Sequence, residues 1–79
     1  MKLRIISAED ILFEGEVKSV TLPGTVGAFT VLPHHASLIS TLTPGVVRYT
    51  GMTDAKEQSV DIGGGIADVD NDVVSVCVY

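Results

Sequence analysis

Leu22-Pro23-Gly24-Thr25-Val26-Gly27-Ala28-Phe29-Thr30-Val31-Leu32-Pro33-His34-His35-Ala36-Ser37-Leu38-Ile39-Ser40-Thr41-Leu42-Thr43-Pro44-Gly45-Val46-Val47 is the stretch that decides the fold. It holds all three prolines of the chain, each at the edge of an apolar run. Proline has no amide hydrogen for a sheet ladder, so it marks strand ends and corners. Pro23-Gly24 has the composition of the central pair of a type II turn, with Gly24 supplying φ > 0, and Pro44-Gly45 reads the same way. Short β-branched runs between such corners describe a small all-β domain.

The same grammar extends to both sides. Strands are expected near Lys2–Ser7, Ile11–Glu14, Glu16–Leu22, Ala28–Leu32, Ser37–Leu42, Gly45–Thr50, Glu57–Ile62, Gly65–Val69 and Val73–Tyr79. That is about nine or ten short strands, the signature of a β-sandwich or closed barrel. No i, i+3, i+4 apolar stripe persists over three turns, so helix is not expected. Glu16–Leu22 alternates with Lys18, Val20 and Leu22 on one face and Val17, Ser19 and Thr21 on the other. Val47 and Tyr49 face opposite to Arg48. Val73–Val78 is nearly all apolar, which suits a strand buried on both faces or one covered by a partner. Gly63-Gly64-Gly65 permits a bulge or a close backbone approach. Asp70-Asn71-Asp72 is a hairpin connection, because Asn and Asp tolerate the left-handed region. Gly51–Lys56 reads as an exposed polar loop.

Seventy-nine residues make one domain, 1–79. A domain of this size buries about 60–65% of its unfolded surface, a thin core. Charged residues are only 19% of the chain, which leaves apolar surface for a partner. Ten acids against five bases give a net charge of −5. Phosphate contacts need a basic surface, so nucleic acid is not an expected partner. Cys77 is the single cysteine, expected to pack as a small hydrophobe in the last strand. The N-terminus lacks the long apolar segment of a signal peptide, and no run approaches membrane-spanning length.

The residues that draw attention as chemistry are weak candidates. His34 and His35 are adjacent; on a strand they would point to opposite faces, and no Cys or His elsewhere completes a metal set. A loop pair satisfied by backbone or water is the plainer reading. Gly63-Gly64-Gly65 lacks the Lys-Ser/Thr and helix of a phosphate loop. Asp68, Asp70 and Asp72 lack the glycine and late Glu of a calcium loop, and read as a solvated acidic turn. No nucleophile elbow is present. Catalytic, metal and cofactor sites are therefore not expected.

Several motifs occur in a fixed order. They are Ile5-Ile6-Ser7-Ala8-Glu9-Asp10-Ile11-Leu12-Phe13-Glu14-Gly15, then Val17-Lys18-Ser19-Val20, then Gly27–Leu38, Leu42-Thr43-Pro44-Gly45 and Gly64-Gly65-Ile66-Ala67-Asp68-Val69. In this order they resemble the N-terminal β-sandwich of the epsilon subunit of bacterial and chloroplast F-type ATP synthases, called delta in mitochondria. The resemblance implies a non-catalytic central-stalk subunit that joins the c-ring to the gamma subunit, within the complex that also holds alpha and beta. It implies no cofactor, and a peripheral place on the cytoplasmic face of a bacterial membrane, touched only through the complex. It also implies that Gly27, Ala28, Phe29, Thr30, Pro33 and His34 face the c-ring, and that Ser7, His35 and Ser40 face gamma. On this reading Phe29→Asp or His35→Asp would weaken assembly while the domain stays folded.

The departures from the family pattern are Ala28 for an acid, Thr30 and His34 for glycines, and Ser37 for a proline. The chain stops at Tyr79, where the sandwich ends, so a naturally short form without the helical inhibitory hairpin is expected, with a truncated piece of a longer subunit as the alternative. The competing reading is a free-standing β-sandwich binding module. With no Trp, two Phe and two Tyr, the chain is poor in the aromatic platforms such modules use for sugars.

Overall fold

The computed structural model describes residues 1–53 and 56–79. Its strands are β1 (Lys2–Ile6), β2 (Ile11–Gly24), β3 (Gly27–Val31), β4 (Leu38–Leu42), β5 (Gly45–Gly51), β6 (Glu57–Ile62), β7 (Gly65–Asp70) and β8 (Val73–Val78). No helix occurs among the described residues, and the all-β expectation is borne out. The strands number eight because Ile11–Glu14 and Glu16–Leu22, expected as two, run through Gly15 as one strand of 14 residues.

β2 organises the pairing. Its first half pairs with β1, from Lys2↔Glu16 to Ile6↔Ile11. From Val17 onward it pairs with β5, then with β3 in a hairpin, and at Gly24 with Leu42 of β4. β1 also pairs with β8, in parallel. β8 pairs with β7 and β7 with β4. The path β1-β8-β7-β4-β2 therefore returns to β1, while β5, β6 and β3 extend from β2.

Two register shifts make the crossing possible. Ile5 faces Phe13 and Ile6 faces Ile11, so Leu12 is extra opposite β1. Val17 faces Gly51 and Ser19 faces Thr50, so Lys18 is extra opposite β5. An extra residue bends a strand and sharpens its twist. It also resets which side chains point inward. Val17, expected opposite to Val20 and Leu22, is buried with them, and between Val17 and Leu22 only Lys18 is exposed. The strict alternation expected over Glu16–Leu22 fails at this bulge.

The core draws on every strand. Leu3, Ile5, Val17, Val20, Leu22, Val31, Val47, Val74 and Val76 have no exposed surface. Among the described residues no polar or charged side chain is buried. β5 behaves as expected, with Val47 and Tyr49 inward and Arg48 outward. The rings of Phe13 and Tyr49 meet at 4.2 Å between centroids, tying the first half of β2 to β5. Burial pushes the Tyr49 phenol up from its ordinary value. β8 is not buried on both faces within the chain. Val74, Val76 and Val78 point inward, Ser75 is half-buried and Cys77 is exposed. The strand is covered on one face, so Cys77 is not a core residue.

Two of the expected turns lie elsewhere. Pro23 and Gly24 belong to β2, and the hairpin tip is Thr25-Val26. Neither Gly24 nor Gly45 has positive φ. Gly24 is needed for space, since a Cβ there would lie 2.7 Å from Gly27 O and 2.9 Å from the Phe29 ring. The Asn71-Asp72 connection is as expected. Both residues have positive φ, 49° and 62°, as a two-residue type I′ hairpin needs. Met52, Thr53 and Lys56 of the expected loop are exposed, while Asp54 and Ala55 lie outside the described residues.

Gly65 carries the close approach expected of the triple glycine. Its φ is 157°, and a Cβ there would collide with the carbonyl of Cys77 on β8. Gly65→Ala is expected to cost at least about 2 kcal/mol, against a total of roughly 4–12 kcal/mol for a domain of this length. Urea unfolding measures it. A loss below about 0.5 kcal/mol, the usual range of harmless surface changes, would show that the strands separate freely there.

Candidate interaction surfaces

The exposed backbone corners gather at two opposite ends of the sheet. Thr41, Ile66, Cys77 and Ile6 are successive register partners across β4, β7, β8 and β1. Beyond that row lies the β2–β3 tip. Thr25 N–H donates to Thr41 O at 3.1 Å, the two threonine hydroxyls meet at 3.0 Å, and Thr43 N–H donates to Pro23 O at 2.9 Å. These bonds fix the tip against the end of β4. Val26 stands at its apex, as exposed as a side chain can be.

The other end holds the Leu32–His35 turn and the β7–β8 hairpin. His35 N–H donates to Leu32 O at 3.2 Å, closing the turn. Pro33 and His34 are its central pair, and His34 has φ 67°. This is the arrangement of a type II turn, in which the third residue needs positive φ and glycine is favoured. The turn is held by side chains of the opposite hairpin. His34 N–H donates to Asp72 Oδ1 at 2.9 Å, and Ser37 Oγ donates to Asp70 Oδ1 at 2.7 Å. The α-ammonium of Met1 lies 3.7 Å from Asp72 Oδ2 and 3.6 Å from Glu16 Oε1. His35 Nδ1 donates to Ala36 O at 2.7 Å.

The residues expected to face the c-ring are not brought together. Gly27 and Ala28 flank the tip and are exposed. Thr30 is exposed further along β3, with its hydroxyl 2.9 Å from that of Thr21. Phe29 points the other way, half-buried against the core. Pro33 and His34 sit beyond the far end of β3, a five-residue strand of about 13 Å. The residues expected to face gamma are also spread out. Ser7 follows β1 at the tip end, its backbone N–H and its hydroxyl both directed at Asp10 O. Ser40 lies half-buried in mid-β4, its hydroxyl on Thr41 O. His35 lies at the far end, in the same turn as His34. That pair is in a turn, not on a strand.

Two features escaped sequence reasoning. One is the service of Asp70 and Asp72 as acceptors for the His34 turn, which joins residues 38 apart in sequence for the His34–Asp72 pair. No local signal could reveal it. The other is an apolar row on the outer face, where Ile66, Cys77, Ile6 and Ile11 are successive register partners. Ile39 flanks it and is 74% exposed. The alternation Gly65-Ala67-Val69 against Ile66-Asp68-Asp70 carried a signal for Ile66. Beside this row Arg4 Nε lies 2.9 Å from Glu14 Oε2. Among the described residues no group of three or more His, Cys, Asp and Glu could hold a metal ion, and no helix is long and apolar enough to cross a membrane.

The His34 N–H bond holds the Asp72 carboxyl below its ordinary value of 3.8; slight burial opposes this, and the Met1 ammonium and His34 assist. A depressed folded pKa means that the bond's contribution is complete above the unfolded value, about pH 4, and is lost as pH falls through the folded value. Asp72→Asn keeps an acceptor but cannot titrate. Its stability is expected to fall less steeply than wild type below about pH 4. Urea unfolding at stepped acid pH checks this, and parallel curves would remove Asp72 from the acid response.

A family model described as ATP synthase, Delta/Epsilon chain, beta-sandwich domain matches residues 1–79. An ATP synthase epsilon chain of a Nitratiruptor species is 44% identical over 78 residues, 99% of this chain and 60% of that one. The ATP synthase epsilon chain of Bordetella petrii is 40% identical over 76 residues, 96% of this chain and 53% of that one. The chain thus spans a little over half the length of these relatives. Among solved structures, a chain in the Euglena gracilis mitochondrial ATP synthase (OSCP/F1/c-ring) superposes with a TM-score of 0.88 at 24% identity, covering 96% of this chain and 48% of that one. One in the Tetrahymena thermophila mitochondrial ATP synthase (central stalk/c-ring) gives 0.81 at 13% identity, covering 99% and 62%. At those identities the likeness shows the shared fold. Residues matched from the first to the last, and relatives at 40% identity or more, establish that this chain belongs to the delta/epsilon β-sandwich family of ATP synthase.

Proposed function

We propose that residues 1–79 act as one non-catalytic rotor domain in the central stalk of an F-type ATP synthase, linking the gamma subunit to the c-ring. The observation that carries this is the match along the whole chain to epsilon chains, reaching 44% identity. The domain takes its place in the complex with alpha and beta, peripheral to the membrane, on the cytoplasmic face in a bacterium. It needs no cofactor. A core with no buried polar side chain among the described residues and a closed strand path suit a part that must transmit torque without deforming.

The β2–β3 tip is the proposed ring end, with Gly27 and Ala28 beside the apolar apex Val26. Thr30 extends this surface along β3. With Ala28 where the family has an acid, contact here rests on apolar and backbone groups. The Pro33-His34-His35 turn is assigned to gamma instead, because it lies at the opposite end from the tip. A gamma subunit running along the sheet would meet Ser7, Ser40 and His35 in succession, along the length of a five-residue strand, roughly 13 Å.

Tagged chain recovered from detergent-solubilised membranes of its source, with mass spectrometry of the bound proteins, tests the assignment. Wild type is expected to bring down gamma with alpha, beta and c. Val26→Asp is expected to lower c-ring recovery while gamma is retained and the domain stays folded. Phe29→Asp is a poorer probe, because a charge on a ring half-buried against the core disturbs folding itself. Undiminished c-ring recovery with Val26→Asp would remove the tip from the ring interface. Recovery of none of these subunits by folded wild type would sink the rotor reading.

A further inference from the structure

We infer that Asp72, assisted by Asp70, is a positioning residue for a partner contact: the β7–β8 hairpin clamps the Leu32–Ser37 segment and so presents His35 to the gamma subunit. The inference rests on the rotor reading for the identity of the partner, and on the structure alone for the clamp.

His34 carries a side chain at φ 67°, where most residues are strained and glycine is not. A turn closed by one bond of 3.2 Å between Leu32 and His35 is a weak restraint on such a conformation. Two bonds from carboxylates add to it. Asp72 Oδ1 accepts from the His34 amide at 2.9 Å, and Asp70 Oδ1 accepts from Ser37 Oγ at 2.7 Å. Charged acceptors make stronger bonds than neutral ones. These grip the segment at both sides of His35. The carboxylates are themselves rigidly placed, because Asp70 ends β7 and Asp72 belongs to a two-residue hairpin with both residues at positive φ.

The resemblance implies glycine at the position of His34 and proline at that of Ser37. Glycine adopts positive φ unaided, and proline stiffens the chain on its own. This chain has neither, and it has a carboxylate bonded at each of the two positions. The clamp takes over the stiffness that backbone chemistry would otherwise supply.

Amide hydrogen exchange on the folded chain, with capture of purified gamma subunit by the same variants, tests this. Asp72→Ala is expected to speed exchange at His34 and His35 about tenfold or more while β7 and β8 amides keep their protection. Its capture of gamma is expected to weaken about tenfold. Asp72→Asn retains an acceptor and is expected within about threefold of wild type in both measurements. Adding His34→Gly to Asp72→Ala is expected to restore capture, because glycine holds the turn without the clamp. Unchanged exchange at His34 in Asp72→Ala overturns the clamp. Faster exchange with undiminished capture overturns the positioning role and leaves the rotor reading intact. Failure of folded wild type to capture gamma overturns the rotor reading and the partner named here, while the exchange result still decides the clamp.

Discussion

The passage of β2 from β1 to β5 is the constraint on which the rest of the molecule depends. A 14-residue strand can serve two sets of neighbours only if it bends between them. The bulges at Leu12 and Lys18 supply the bend, and each also changes the face a side chain presents. Without the extra residue at Lys18, Val17 would point out when Val20 points in. With it, Val17, Val20 and Leu22 enter one core and β2 still reaches β3 and β4. The ring contact between Phe13 and Tyr49 covers the crossing from inside.

That single strand explains how much of the chain was legible in advance. Where a strand keeps one register, period-two alternation carries its faces, as the reading of β5 did. β7 alternates without exception, and β5 buries Val47 and Tyr49 as its pattern demands. The Asn71-Asp72 corner was legible because few residue pairs tolerate two successive positive φ values. The faces of β2 were not legible, because a bulge adds one residue without any required residue type. Pro23-Gly24 misled for a related reason. The glycine is present to let the Phe29 ring and the Gly27 carbonyl come close, and the chain turns two residues later. Turn composition and close packing call for the same residue, and sequence alone does not separate the two demands.

The candidate surfaces show the same division. Membership of the family was readable from motif order, since it depends on which residues follow one another. The grouping of site residues was not, since it depends on strand direction. Gly27 and His34 are seven positions apart and stand at opposite ends of β3, while His34 and Asp72 are 38 apart and share a hydrogen bond. Residues that resemblance assigns to a single interface can therefore belong to different ones. Phe29 shows the sharper version: its neighbours Ala28 and Thr30 are exposed, and it packs on the core.

A thin core shapes how such a domain can carry interfaces. With no polar side chain buried among the described residues, specificity is built on the surface and at the corners. The outer face of β4, β7, β8, β1 and β2 shows how the two demands meet. One row across it is apolar, through Ile66, Cys77, Ile6 and Ile11. The next row pairs Ile39 with Asp68, Asp68 with Ser75, Ser75 with Arg4 and Arg4 with Glu14. Asp68 and Arg4 lie two positions along their strands from Ile66 and Ile6, and Glu14 lies three from Ile11 because of the bulge at Leu12, all on the same face. An unrelieved apolar face on a domain this small would promote self-association. A charged row beside an apolar one limits that and still leaves a stripe that complementary packing can cover. Five charges do this work: Asp70 and Asp72 hold the Leu32–Ser37 segment at a corner, and Arg4, Glu14 and Asp68 border the apolar stripe.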